Sequence, residues 1–179
     1  MAFRRAAKKT YDEASLYEYA IGALGRRMRT VAEIKRLMRN RVAAQPDGEA
    51  LIEAVVARLK SQRYLNDTSY AESYSRFRRD NEKFGRLRVV QDLKIKGVHG
   101  EIIEKVTRAS YDDVNEEQQA REFLRRKRIA KPTDQKQAAR VFRTLVRGGF
   151  ASRVIFRILK MWDVDDETIT ALEEEGSGQ

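Results

Sequence analysis

The sequence RLMRNR at residues 36–41 recurs in similar form as DLKIKG at residues 92–97 and as TLVRGG at residues 144–149. Aligning the single leucine of each copy sets the copies 56 and 52 residues apart. A second apolar cluster starts 14 residues after this leucine in the first copy and 9 residues after it in the other two, so five residues are inserted around positions 45–48. A repeat of about 50 residues is typical of helical arrays, which are elongated and present a long surface to a partner.

Helix-start signals divide each copy into three helices. Thr10 with Glu13, and Thr30 with Glu33, have the spacing of a capping box, in which the two side chains cap the first helical turn. Residues 115–118 carry a similar signal in the last copy. Apolar residues then recur at helical spacing. The sequence therefore predicts an all-α fold with about nine helices and essentially no strand, arranged as three tandem three-helix, helix-turn-helix-like repeats.

The repeats are expected to follow one another without long linkers. We predict a basic N-terminal tail at residues 1–9, repeat 1 at 10–65, repeat 2 at 66–110, repeat 3 at 111–162, and an acidic, then Gly- and Ser-rich tail at 163–179. The leucine of each copy should be buried in an equivalent place, and the last several residues should be mobile.

Composition narrows the class of partner. The chain has 37 Lys and Arg against 27 Asp and Glu, a net charge of +10 that favours nucleic acid or another acidic partner over a merely solvated basic surface. The absence of cysteine excludes disulfides, a thiolate zinc site and a thiol nucleophile. No apolar run reaches the roughly 18 to 20 residues that span a membrane, and the N-terminus lacks an export signal. We therefore expect a cytoplasmic protein.

Basic residues on the middle helix of each repeat form the candidate binding surface. In repeat 3 they recur at intervals of 4, 3 and 4 residues, which places them on one helix face, and the repeat alignment supplies partial counterparts in repeats 1 and 2. The candidates are Lys35, Arg36, Arg39, Arg86, Arg88, Lys94, Lys136, Arg140, Arg143 and Arg147. Together they predict a discontinuous basic track that meets phosphates or acidic groups of a protein groove; the alternative is an ordinary solvated helix face.

The remaining polar and aromatic residues indicate no chemistry. His99 is the single histidine and has no second ligand with which to hold a metal. No Gly-rich nucleotide cradle is present. Tyr70, Tyr74 and Phe77 form a helical stripe that favours a packed aromatic core over base stacking. We predict a non-enzyme that uses no cofactor and no metal.

Four segments, in order, resemble the RecX family of bacterial recombination regulators. They are residues 24–34, residues 59–67, residues 84–88 taken with 93–97, and residues 147–150. The last resembles an Arg-Arg-Gly-Phe element of that family. The departures are Arg63 for Gly, Asn66 for Asp and Gly148 for Arg. The resemblance extends over roughly residues 12 to 162.

The resemblance implies a curved array of three three-helix units and a partner. It implies binding in the groove of the RecA–DNA filament, with restraint of ATP hydrolysis, strand exchange or filament growth by RecA, and hence modulation of recombination and DNA repair. Single- or double-stranded DNA would then be bound weakly, or in complex with RecA. The alternatives are a direct DNA-binding helix-turn-helix protein that acts without RecA, and a helical scaffold for another protein.

Overall fold

The chain is all-helical over the residues that the computed structural model describes, 10–177; the predicted basic tail at residues 1–9 lies outside this range, as do residues 178 and 179. The helices are α1 (Glu13–Leu24), α2 (Val31–Val42), α3 (Gly48–Ser61), α4 (Asp67–Asp80), α5 (Arg86–Ile95), α6 (Gly100–Tyr111), α7 (Glu116–Arg126), α8 (Gln135–Gly148), α9 (Ser152–Met161) and α10 (Asp166–Ser177). No strand occurs in this range, so the all-α prediction is confirmed. The described helices number ten, one more than the sequence predicted.

The described chain divides into two compact units. Unit 1 contains residues 10–70 and Lys96–His99, and unit 2 contains Ala71–Ile95 and residues 100–177. Unit 1 therefore holds α1, α2, α3 and the first turn of α4. Unit 2 holds the rest of α4 and all the later helices.

Unit 1 is built around a core to which α1, α2 and α3 each contribute. Its fully buried side chains include Leu16, Ile34 and Ile52. The Thr30 capping box is confirmed: Thr30 Oγ1 accepts from the Glu33 backbone N at 3.1 Å, and Glu33 Oε2 accepts from the Thr30 N at 3.2 Å. These bonds satisfy backbone N–H groups that would otherwise lack a partner in the first turn of α2.

The start of α1 differs from the prediction. Asp12, not Thr10, is the N-cap: its Oδ1 accepts from the Ser15 N at 2.8 Å, and Ser15 Oγ accepts from the Asp12 N at 3.1 Å. The predicted Thr10–Glu13 box is therefore wrong, because the aspartate two residues later closes the same kind of box.

Unit 2 buries a large apolar core between α7, α8 and α9. Phe123, Leu145 and Ile155 are almost fully buried in it. The same core takes in Ile169 and Leu172, which are 3% and 4% exposed and come from α10. The region after residue 162 was predicted as a tail and the structure instead contains this packed helix, because two apolar residues three positions apart lie on its inner face.

Burial corrects the repeat register by one residue. Leu93 and Leu145 are fully buried, whereas Leu37 is only half-buried and its neighbour Met38 is fully buried. Each middle helix then buries a pair of residues four apart: Ile34 and Met38, Val89 and Leu93, Val141 and Leu145. The corrected copies lie 55 and 52 residues apart. The prediction that Leu37 is equivalent to the other two leucines is wrong.

Within unit 2, backbone hydrogen bonds join the C-terminal end of α8 to the N-terminal end of α5. Gly85 N donates to Gly148 O at 2.9 Å, and Leu87 N donates to Gly149 O at 3.2 Å. Gly149 has φ 83°, and a Cβ at that position would lie 2.1 Å from the Arg88 N. Only glycine tolerates both the positive φ and so close an approach.

A similar contact occurs within unit 1. There Thr30 Oγ1 donates to Lys96 O at 2.7 Å, and Gly97, with φ 74°, would place a Cβ 2.5 Å from the Ala32 Cβ. The corrected register aligns Gly97 with Gly149 and Lys96 with Gly148. The residues that follow α5 and α8 thus have the same role, each packing against the start of a middle helix.

Candidate polyanion-binding surface

The outward side of α8 carries four exposed cations with no acidic partner. Asp134 caps this helix, since its Oδ1 accepts from the Gln137 N at 2.7 Å, and the inner side buries Val141 and Leu145. The opposite side, called here the α8 face, consists of Lys136, Arg140, Arg143 and Arg147, all of them exposed. Within residues 10–177, none of these four side chains forms a salt bridge or a side-chain hydrogen bond. Four adjacent unneutralised cations attract phosphate or carboxylate groups.

The cations of α2 have a different environment, because α3 supplies acids to two of them. Lys35 Nζ lies 2.5 Å from Glu53 Oε1. Arg39 holds Glu49 through two bonds, Nε to Oε2 at 3.1 Å and Nη2 to Oε1 at 2.7 Å. The hydrogen bond from Arg39 lowers the pKa of Glu49, and the same bond raises the pKa of Arg39. Arg36 is exposed and, within the described chain, forms no ion pair.

Two of the α5 cations are also paired. Arg86 Nη2 donates to Glu104 Oε2 at 2.9 Å on α6, and Arg88 Nε lies 3.0 Å from Asp92 Oδ1. Lys94 is exposed and has no ion pair among the residues described. The predicted candidates therefore fall into two groups: the neutralised ones, which are Lys35, Arg39, Arg86 and Arg88, and the unpaired ones, which are Arg36, Lys94 and the α8 face.

A buried carboxylate beside α5 organises part of unit 2. Asp92 is 8% exposed, and its Oδ2 accepts from Tyr74 Oη and from Arg78 Nη2, both at 2.9 Å. Burial raises the pKa of Tyr74 to about 12. The sequence gave no signal for this network beyond the aromatic stripe. Within that stripe Tyr70 is buried, Tyr74 is half-buried and Phe77 is 53% exposed, so the expected aromatic core lacks its last member.

Other kinds of site find little support in the described chain. His99 is exposed, and within residues 10–177 no group of three or more His, Asp or Glu side chains is arranged to hold a metal ion. None of the described helices has the length and apolar character needed to cross a membrane.

A family model for the second three-helix domain of RecX matches residues 66–106. The chain is similar to the regulatory protein RecX of Leptothrix cholodnii, with 31% identity over 151 residues that cover 84% of this chain and 91% of that protein. The regulatory protein RecX of Trichlorobacter lovleyi is 30% identical over 147 residues, which cover 80% and 93% of the two chains. The regulatory protein RecX of Oceanobacillus iheyensis is longer: it is 28% identical over 156 residues, covering 85% of this chain and 55% of that protein.

Solved structures show the same fold. A crystal structure of regulatory protein RecX aligns with a TM-score of 0.62 and 24% identity, covering 83% of this chain and 71% of that one. The crystal structure of RecX from Lactobacillus salivarius aligns with a TM-score of 0.64 and 21% identity, covering 84% and 96%. The three-repeat all-α architecture is consistent with these structures.

Proposed function

Because the chain belongs to the RecX family of regulatory proteins, we propose that it is a non-catalytic negative regulator of the RecA recombinase, and that it binds in the groove of the RecA–DNA filament. From there it restrains ATP hydrolysis, strand exchange or filament growth by RecA, and so modulates recombination and DNA repair. The proposed partner gives it a place of action in the bacterial cytoplasm.

The observation that carries the proposal is the unpaired α8 face. A filament groove presents DNA phosphate and protein side chains together, and Lys136, Arg140, Arg143 and Arg147 are free to meet either. Each phosphate that a cation neutralises releases condensed counterions from the DNA. Arginine in addition binds phosphate or carboxylate through two parallel bonds. Four such contacts favour a polyanion without base-specific readout, as expected for a regulator that acts on filaments of any sequence.

Co-sedimentation distinguishes this proposal from direct DNA binding. The protein is mixed with RecA assembled on single-stranded DNA, with the same DNA alone, and with RecA alone. We expect the assembled filament to carry down far more protein than either component does. Equal recovery with bare DNA would favour the alternative, a helix-turn-helix-type DNA-binding protein that acts without RecA. Recovery with RecA alone, insensitive to salt, would instead favour a scaffold that recognises only protein.

A further inference from the structure

Two exposed acids of α3 occupy the cations of α2 in unit 1. Glu49 and Glu53 are one helical turn apart, as are their partners Lys35 and Arg39, so the two ion pairs lie side by side across the α2–α3 contact. The Arg39–Glu49 pair is bidentate, with N–O distances of 3.1 and 2.7 Å. This fork geometry is also the one by which arginine holds a phosphate group.

These acids contribute little to the fold. The side chains of Glu49 and Glu53 are 58% and 54% exposed. Ion pairs at so exposed a position stabilise a protein only slightly, because water screens the charges and ordering long side chains costs entropy. A surface pair of this kind is therefore easily exchanged for another anion.

The corresponding positions on the other third helices set α8 apart. In the corrected register, Ile52 of α3 aligns with Ile155 of α9, which places Ser152 and Phe156 at the positions of the two acids. Neither residue can neutralise a cation, and the α8 face is correspondingly unpaired. Repeat 2 is intermediate: Glu104 of α6 takes the position of Glu53 and pairs with Arg86 at 2.9 Å.

We propose that Glu49 and Glu53 act as intramolecular substitutes for phosphate, masking in repeat 1 a second nucleic-acid-binding surface composed of Lys35, Arg36 and Arg39. This inference rests on the proposed function, since it assigns the same class of ligand, a nucleic-acid backbone, to a second repeat. In the free protein the α8 face binds first. A phosphate backbone that reaches α2 must displace the two carboxylates before it gains Lys35 and Arg39, which lowers its affinity for this surface.

The test is a gain of binding after the acids are neutralised. Glu49→Gln with Glu53→Gln keeps side-chain size, removes two negative charges and frees both cations. Binding to a labelled oligothymidylate is followed by fluorescence anisotropy across a salt series. Releasing two surface pairs should tighten binding at low salt about twofold to thirtyfold. The salt dependence should steepen by about 1.4 units, at roughly 0.7 per phosphate contact on a single strand.

Two controls separate unmasking from a general change in charge. Glu18→Gln with Glu72→Gln makes the same change in net charge at exposed acids that form no ion pair within the described chain, and it should gain much less. Adding Lys35→Gln and Arg39→Gln to the first variant should abolish its gain. Equal gains in the two acid variants, or a gain that survives loss of both cations, would overturn the inference. No gain at all, in a variant that melts like the parent, would overturn it too.

The oligothymidylate assay contains no RecA, so its outcome is independent of the proposed function. If the parent fails to inhibit RecA while the acid variant still gains DNA binding through Lys35 and Arg39, the regulatory role is wrong and the masked surface stands. If the parent inhibits RecA and the variant gains nothing, the opposite holds.

Discussion

Removing the three arginines of the α8 face should weaken DNA binding by an amount that the geometry fixes. Arg140→Gln, Arg143→Gln and Arg147→Gln retain much of each aliphatic stem while removing the charge. Each phosphate contact contributes about 0.7 units of salt dependence on a single strand, so three contacts account for about 2 units. At about 0.1 M salt, a loss of 2 units corresponds to roughly 100-fold weaker binding, and the difference should shrink as salt rises toward about 1 M.

Anisotropy titrations with oligothymidylate at several salt concentrations measure this loss, and parallel sedimentation with RecA filaments measures its consequence. Arg26→Gln, Lys105→Gln and Arg126→Gln form the matched control, because these exposed cations also lack ion pairs within residues 10–177 and their removal changes net charge equally. Both variants should melt close to the parent, since surface substitutions usually alter stability by within about 0.5 kcal/mol each. If the two triple variants bind equally, the α8 face is only a solvated surface and the reasoning fails.

Three further predictions concern the fold. Gly149→Ala should lower the free energy of unfolding by more than about 1 kcal/mol, because φ is positive and the site is closed, whereas Gly22→Ala, with nothing near its Cβ, should raise it by about 0.5 to 1 kcal/mol; urea unfolding compares the two. Met38→Ala should cost about 2 to 5 kcal/mol and Leu37→Ala distinctly less; the reverse order would contradict the corrected register. Because burial raises the pKa of Tyr74 to about 12, the unfolded chain loses this proton first, near pH 10; stability from this group is full below about pH 10 and falls as pH rises toward 12, a loss that alkaline unfolding of Tyr74→Phe should not show.

Local patterns in the sequence were sufficient for the helices and for the α8 face. The Thr30–Glu33 box and the 4, 3, 4 spacing of the α8 cations depend only on neighbouring residues along the chain, and both are found in the structure. Choices between adjacent residues were not decided in this way. Leu37 and Met38 are both apolar and consecutive, so periodicity alone could not tell which of them faces the core.

The sequence could not show which cations are neutralised. Arg39 and Glu49 are ten residues apart on different helices, and their pairing depends on how α3 packs against α2. The same limit explains α10, whose acidic composition concealed Ile169 and Leu172, since their burial requires the core of repeat 3 to be in place. A basic track inferred from charge alone thus included residues whose charge the fold already balances.

The most direct test of the account is the rate at which RecA hydrolyses ATP on saturating single-stranded DNA, measured with increasing amounts of this protein. We predict that the parent lowers the rate and hydrolyses no ATP by itself, and that the variant lacking Arg140, Arg143 and Arg147 lowers the rate much less at physiological salt. An unchanged rate at several-fold excess of the parent, or full inhibition by the triple variant, would contradict the account.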